Sequence, residues 1–157
     1  MATEIERRFL LEALPPEWTA NCERIQQGYL LAEEGRVLRV RKYGEHHIMT
    51  VKYGSGLSRE EHEQDIPAAL FDMLWPLTEG RRNDKLRYRH AQDGHIFEID
   101  VFADNLAQLI ILEIEFASEA EARAFTPPGA AGREVTLDHR YSNAYMALHG
   151  LPDDFQP

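Results

Sequence analysis

Charged side chains fall on alternate positions in one short run after another of this chain, and that alternation restricts the fold more than any other feature. In the first run, Glu4-Ile5-Glu6-Arg7-Arg8-Phe9-Leu10, one parity collects Glu4, Glu6 and Arg8 while Ile5 and Phe9 take the other. Successive side chains of a β-strand point to opposite faces, so this run makes a strand with a charged face and an apolar one.

The pattern returns along the chain. Residues 24–32 read as a second strand carrying Tyr29, closed by turn-like Glu33-Glu34-Gly35, and Arg36 to Tyr43 as a third with Val37, Arg39 and Arg41 on one parity. A fourth, His46 to Tyr53, sets Ile48, Thr50 and Lys52 against Met49 and Val51, and Gly54-Ser55-Gly56 supplies a flexible turn. Leu57 to Ile66 holds Arg59, Glu61, Glu63 and Asp65 over a weak apolar face, which predicts a partly wet outer side. Residues 81–90 carry Lys85, Arg87 and Arg89 on one parity; after the hairpin signal Asp93-Gly94, His95 to Phe102 sets Glu98 and Asp100 against Phe97, Ile99 and Val101. The last run, Leu109 to Phe116, is strongly apolar yet keeps Glu113 and Glu115 together.

Three segments follow helical rules. Pro67 can open a helix in which Ala69, Leu70, Met73, Leu74 and Leu77 form a stripe, until Pro76 ends or distorts it. Ser118 and Glu121 have capping-box spacing for a helix to about Phe125. Asp138 or Ser142 can cap a last helix running to about Leu148, ended by Gly150, and the tail from Pro152 to Pro157 reads as loose. Leu14-Pro15-Pro16-Glu17-Trp18 is a loop with a short helical turn at most. With 157 residues and no repeat or linker, the expectation is one domain over residues 1–157, an α+β fold dominated by β, with about eight antiparallel strands and three helices.

Across the runs the signs are sorted. A sheet with one face in water would mix long and short polar residues and leave the signs unsorted. Here the first and last runs supply ExE pairs, and the third and sixth supply RxR or KxR pairs. Closing the sheet into a barrel would bring the two ExE strands towards each other around a shared interior, with the helices over the apolar outside. Charge in that interior must be wet, paired, or matched by a charged ligand. Clustered carboxylates suit Mg²⁺ or Mn²⁺, which take oxygen ligands, and Arg and Lys suit phosphate oxygens. Together they describe a site for a metal-bound polyphosphate.

A formal net charge of -10 disfavours nucleic acid and anionic membrane as partners except at a local basic site. The single cysteine, Cys22, forms no internal disulfide, and there is no apolar export signal or membrane-length apolar run, so the cytoplasm is the expected location. A membrane barrel shares the polar interior but needs export, longer lipid-facing strands and no helices between them. The seven histidines show no zinc-ligand spacing, and no phosphate-binding glycine loop is present.

These residues resemble the CYTH superfamily, the triphosphate tunnel metalloenzymes. Glu4-Ile5-Glu6-Arg7-Arg8 is similar to its ExExK signature, and Arg39-Val40-Arg41, Lys52, Glu61-His62-Glu63, Lys85-Leu86-Arg87, Asp100 and Glu113-Ile114-Glu115 resemble its later motifs in order. Gln27-Gly28-Tyr29-Leu30, Met73-Leu74-Trp75-Pro76 and Arg140-Tyr141 resemble its small bacterial tripolyphosphatases. The resemblance implies an eight-stranded antiparallel closed barrel and hydrolysis of a triphosphate with two divalent ions, Mg²⁺ or Mn²⁺. It assigns Glu4, Glu6 and Glu115 to the metal, with Glu61, Glu63, Asp100 and Glu113 as further ligands or supports. It gives phosphate to Arg8, Arg39, Arg41, Lys52, Lys85 and Arg87, and catalytic roles to Arg8, Tyr29 and Lys85. A homodimer is compatible with it, and it also implies that the helix near residues 140–149 closes one end of the tunnel, favouring a compact inorganic substrate.

Position 8 departs from the signature, being Arg where Lys is usual. Arginine stays protonated and cannot act as a general base, which weakens the case for cyclisation and leaves hydrolysis. The function expected is therefore hydrolysis of inorganic tripolyphosphate to pyrophosphate and phosphate. An adenylate cyclase, a nucleoside or thiamine triphosphatase, and a non-catalytic polyphosphate-binding module are the alternatives.

Overall fold

The alternating runs become eight strands: β1 (Ala2–Leu10), β2 (Cys22–Glu33), β3 (Arg36–Tyr43), β4 (His46–Tyr53), β5 (Ser58–Asp65), β6 (Arg82–Gln92), β7 (His95–Phe102) and β8 (Ile110–Glu115). The computed structural model describes residues 2–54 and 57–157. Of the expected turn Gly54-Ser55-Gly56, Ser55 and Gly56 lie outside the described residues. The strands close into an antiparallel barrel in the order β1-β5-β4-β3-β2-β6-β7-β8, with β8 returning to β1. Between β6 and β7, Asp93 and Gly94 both have positive φ, 51° and 79°, the geometry of the two-residue hairpin that this dipeptide favours.

The seam at β1 is divided. Ala2 to Ile5 pair with β5, whereas Glu6 to Leu10 pair with β8. Past Ile5, the β5-side edge of β1 is taken by residues 132–136. Gly132 N donates to Leu10 O at 2.8 Å, Leu10 N to Arg133 O at 2.9 Å and Val135 N to Arg8 O at 2.8 Å. This stretch fixes where the following chain enters the barrel.

Because the inward parity is charged, the apolar core lies mainly outside the strands. The outer faces of β1, β7 and β8 bury Ile5, Phe9, Phe97, Ile99, Leu112 and Ile114 with Trp18 and with Ala122 of α2 (Glu119–Ala124). The Ser118 hydroxyl caps that helix by accepting from Glu121 N at 3.1 Å. Over β3 and β4, α1 (Ala68–Leu74) packs Leu70, Phe71 and Leu74 on Val40 and Met49, and Pro76 turns the chain into a 3₁₀ segment, Trp75–Thr78. The outer face of β5 is largely exposed, as its weak apolar pattern implies.

Two expectations are corrected. The third helix, α3 (Asn143–His149), does not cover the barrel's outside. Met146, with Tyr141, packs on Phe102, Ile111 and Leu10, residues of the inward parity, and so plugs one end. The tail is not loose, because Phe155 packs on this plug and Asp154 Oδ1 accepts from Arg140 Nη1 at 2.9 Å. Among the described residues no helix is long and apolar enough to cross a membrane.

Candidate active site

Inside the barrel the inward side chains line a cavity of about 790 Å³. Strand order sorts its walls. The adjacent strands β7, β8, β1 and β5 supply Glu98, Glu113, Glu115, Glu4, Glu6, Glu61 and Glu63, while β4, β3, β2 and β6 supply Lys52, Arg39, Arg41, Tyr29 and Arg87. Arg8 and Arg59 are the two cations on the acidic arc. A second cavity of about 790 Å³ lies outside the barrel between Leu57, Ala122 and Leu137, and none of the expected site residues lines it.

On the acidic arc, Glu6 is the cross-strand partner of Glu115, and Arg8 of Glu113. Lys52 Nζ lies 3.0 Å from Glu4 Oε2. Arg59 Nη2 spans Glu4 and Glu6, at 3.3 and 3.0 Å. Burial works against the Glu4 charge, but Lys52 and Arg59 overcome it and hold its carboxyl below the usual range. Glu6 goes the other way: burial, then the neighbouring Glu113 and Glu4, lift it well above that range. Burial also opposes the charge of Glu113, yet Arg8, a hydrogen bond from Glu6 and Arg87 hold it well below. Of this pair, Glu6 holds a proton more strongly than Glu113. Burial raises Glu61 to about 7 against the pull of Lys52, and burial with Glu4 and Glu98 raises Glu115.

Among the described residues, no three His, Cys, Asp or Glu side chains converge as a ready-made ligand set. The carboxylates are spread around the arc with Lys52 and Arg59 resting on Glu4 and Glu6. The donors are nonetheless hard oxygens, and Glu6, Glu61 and Glu115 are all raised by burial in spite of the nearby Lys52. That donor set fits Mg²⁺ or Mn²⁺.

Two arginines, Arg8 on the acidic arc and Arg39 on the basic one, offer donors without acceptors. Arg8 Nη1 donates to Tyr141 O at 2.7 Å, and Arg39 Nη2 to Thr50 Oγ1 at 3.1 Å. Among the described residues, Arg8 Nη2 and Arg39 Nε are buried without a partner. An unsatisfied buried donor is costly, so each of these nitrogens favours an acceptor brought close to it. Arg41 Nε donates to Gln27 Oε1 at 2.8 Å. Burial raises the Tyr29 phenol in spite of Arg39 and Arg41, so its hydroxyl remains a donor.

Lys85 and Asp100, expected at the substrate and the metal, lie behind the wall with fully buried side chains. Lys85 Nζ donates to Asp100 Oδ2 at 2.6 Å and to Asn143 Oδ1 at 3.0 Å. Arg87 Nε and Nη2 donate to Asp100 at 2.7 and 2.9 Å. Burial opposes the Asp100 charge, but Arg87 and Lys85 keep its carboxyl below the usual range. Burial draws Lys85 down to about 7 despite Asp100. Both Asp100 oxygens are engaged by cations of the chain, Lys85 and Arg87.

Comparison with known proteins follows the same lines. No protein-family model matches the chain. It is 47% identical over 148 residues to an inorganic triphosphatase from Nitrosomonas europaea, covering 93% of this chain and 97% of that protein. The chain belongs to the inorganic triphosphatase family. A second member, from Acetivibrio thermocellus, is 35% identical over 148 residues, covering 93% and 94% of the two chains. The crystal structure of an inorganic triphosphatase superposes with a TM-score of 0.70 at 44% identity, covering 94% of this chain and 96% of that one.

Within this inorganic triphosphatase fold, the cavity brings together Glu4, Glu6, Arg8, Tyr29, Arg39, Arg41, Lys52, Glu61, Glu63, Arg87, Glu113 and Glu115. Sequence reasoning gave no site role to Gln27, Asn83 and Asn143, which form a polar floor: Gln27 Nε2 donates to Asn83 Oδ1 at 3.1 Å and Asn143 Oδ1 at 3.2 Å. Gln27 shares the parity of Tyr29 and was detectable that way. Asn143 enters from the plug and carries no such signal. Arg59 was seen as part of the charged face but was given no role.

Proposed function

We propose that this chain hydrolyses triphosphates, inorganic tripolyphosphate by preference, to pyrophosphate and phosphate with Mg²⁺ or Mn²⁺. The observation that carries the reading is the pair of facing arcs, carboxylates on one wall and partnerless buried guanidinium nitrogens opposite or beside them. Its relatives' names, inorganic triphosphatase, support it. Glu4, Glu6 and Glu115 would hold the divalent ion, with Glu61, Glu63 and Glu113 as further ligands or supports. When bound, that ion neutralises phosphate-oxygen charge and activates water as a nucleophile.

The chain's own residues do the rest. Arg39, Arg41, Lys52 and Arg87 grip the phosphate oxygens and stabilise charge spread over the transferring phosphoryl group. Arg8, anchored on Tyr141 O, presents its remaining nitrogens as donors. Water adds to a terminal phosphorus, the bond to the bridging oxygen breaks, and pyrophosphate leaves with that oxygen. Tyr29, kept protonated, donates to an oxygen of the bound chain. Arg8 stays charged and cannot take a proton from a ribose hydroxyl, which argues against cyclisation. The plug of Tyr141, Met146, Phe102 and Ile111 at one end favours a compact inorganic substrate.

The test is phosphate release from tripolyphosphate, pyrophosphate, ATP and thiamine triphosphate, each with Mg²⁺, Mn²⁺ or chelator. The reading predicts fastest release from tripolyphosphate and none in chelator. Chelator-insensitive release, or cyclic AMP as the main product from ATP, would overturn it.

A further inference from the structure

Arg59 lies on the acidic arc, where a cation of the chain's own meets the two carboxylates of the opening ExE pair. Its Nη2 is 3.0 Å from Glu6 Oε1 and 3.3 Å from Glu4 Oε2. β-pairing puts the residue there, because Arg59 is the direct cross-strand partner of Glu4 on the short β1–β5 seam. The side chain is largely buried but borders the cavity, at 21% exposure, so it can move without unfolding the strand. Lys52 also engages Glu4, whereas Arg59 is the cation bonded to both carboxylates.

We infer that Arg59 is an exchangeable counter-ion: it occupies the Glu4–Glu6 pair until a triphosphate arrives, then turns to the phosphate and releases both carboxylates to the divalent ion. This rests on the proposed metal-dependent reading and adds to it an order of assembly. One guanidinium and one divalent ion cannot both lie between the same two oxygens, because like charges at such separations repel strongly in a partly buried site. A polyanion in the cavity offers the guanidinium bidentate partners of greater charge than two carboxylates. Ion and triphosphate are therefore coupled through Arg59: each makes room for the other, and the coupling is reciprocal. The arrangement keeps the site from filling with metal alone and reserves the complete constellation for the occupied enzyme. Arg59 is in this sense a positioning residue for the metal.

The experiment is Mn²⁺ titration followed by electron paramagnetic resonance, with and without the non-hydrolysable diimidotriphosphate. It uses the wild-type chain, Arg59→Gln, Arg59→Lys and Glu6→Gln, each checked for folding by its thermal melt. Wild type should bind Mn²⁺ weakly alone and more tightly with the analogue. Arg59→Gln should bind Mn²⁺ alone about tenfold or more tighter than wild type, and gain less from the analogue. Arg59→Lys keeps the charge but loses the fork, and should fall between the two, so it serves should the glutamine variant fail to fold. A structural role alone would not raise metal affinity. Equal or weaker Mn²⁺ binding by folded Arg59 variants, with binding lost in Glu6→Gln, would overturn the exchange and leave the metal site standing. Binding by Glu6→Gln equal to wild type would remove the metal site itself and the exchange with it.

Discussion

Glu6 on β1 and Glu115 on β8 are direct cross-strand partners, placing carboxylates from the two ends of the chain side by side on one wall. Two such groups facing each other destabilise a sheet unless a proton or a cation intervenes. Burial and the neighbouring Glu113 and Glu4 raise Glu6 well above the usual carboxylate range, which favours its protonated form. Glu6→Gln, which mimics that protonated form, should therefore leave the melting temperature in chelator unchanged. Its tripolyphosphate hydrolysis should fall by about two orders of magnitude or more, the scale seen when a group stabilising transition-state charge is lost. Parallel melts and phosphate-release assays check this. A large loss of stability in chelator would mean that the Glu6 carboxylate is structural.

The same acids set a pH dependence. Glu61 titrates at about 7 in the folded chain against an ordinary value of 4.5, because burial disfavours its charge. The folded state thus binds more protons than the unfolded one across that interval. This contribution is fully present below 4.5 and is lost as pH rises through 7. Glu6 and Glu115 act in the same direction. Glu113 and Asp100 act oppositely: their folded values are lowered, so their contribution is present above the ordinary carboxylate range and lost as pH falls through the folded values. In chelator, Glu61 should make the melting temperature decline between pH 4.5 and about 7, while Lys85, drawn down to about 7, adds stability as pH rises beyond it. Glu61→Gln should flatten the decline below pH 7, and Mg²⁺ should offset it at pH 7. An unchanged slope in Glu61→Gln would count against the buried-carboxyl argument.

Parity made most of the wall legible in the sequence, because a residue's face follows from alternation alone. Glu113 and Glu115 could be placed inward within an otherwise apolar run for that reason. What alternation cannot give is depth along the barrel or the order of strands around it. Lys85 and Arg87 share a parity, yet Arg87 lines the cavity and Lys85 lies behind it, one pair nearer the plug, with Phe102 as its cross-strand partner. The acidic arc exists because β5 pairs with β1 and β8 closes onto β1. Those pairings join distant segments and leave no local trace. Asn143 and Tyr141 reach the site from the plug, whose position depends on residues 132–136 lying along β1.

Asp100 separates the two kinds of acid in this barrel. Its carboxylate is fully buried and bonded to Lys85 Nζ and to two nitrogens of Arg87. Asp100→Asn removes the charge that compensates both cations, and breaking a buried pair of this sort costs about 3–5 kcal/mol. The variant should unfold at markedly lower denaturant, and Mn²⁺ affinity of its folded fraction should stay close to wild type. A stable Asp100→Asn chain that no longer binds Mn²⁺ would instead make Asp100 a ligand.

Gly28 tests the packing of the outer layer. It sits in β2 on the face away from the cavity, and a Cβ there would lie 2.4 Å from Thr78 Oγ1 and 2.5 Å from Thr78 Cβ. Thr78 has little room to yield: it is fully buried, its hydroxyl donates to Trp75 O at 2.7 Å, and Arg82 Nε donates to it at 2.9 Å. Gly28→Ala should therefore destabilise the chain by about 1–3 kcal/mol, as overpacking does. Adding Thr78→Ala should recover only part of that loss, because the remaining Cβ is itself in the way. Below the lowered melting temperature the turnover of tripolyphosphate should match wild type, since the strain falls between β2 and the Trp75–Thr78 segment rather than on the cavity wall. Chemical denaturation of the single and double variants measures the first two expectations, and phosphate release at low temperature the third.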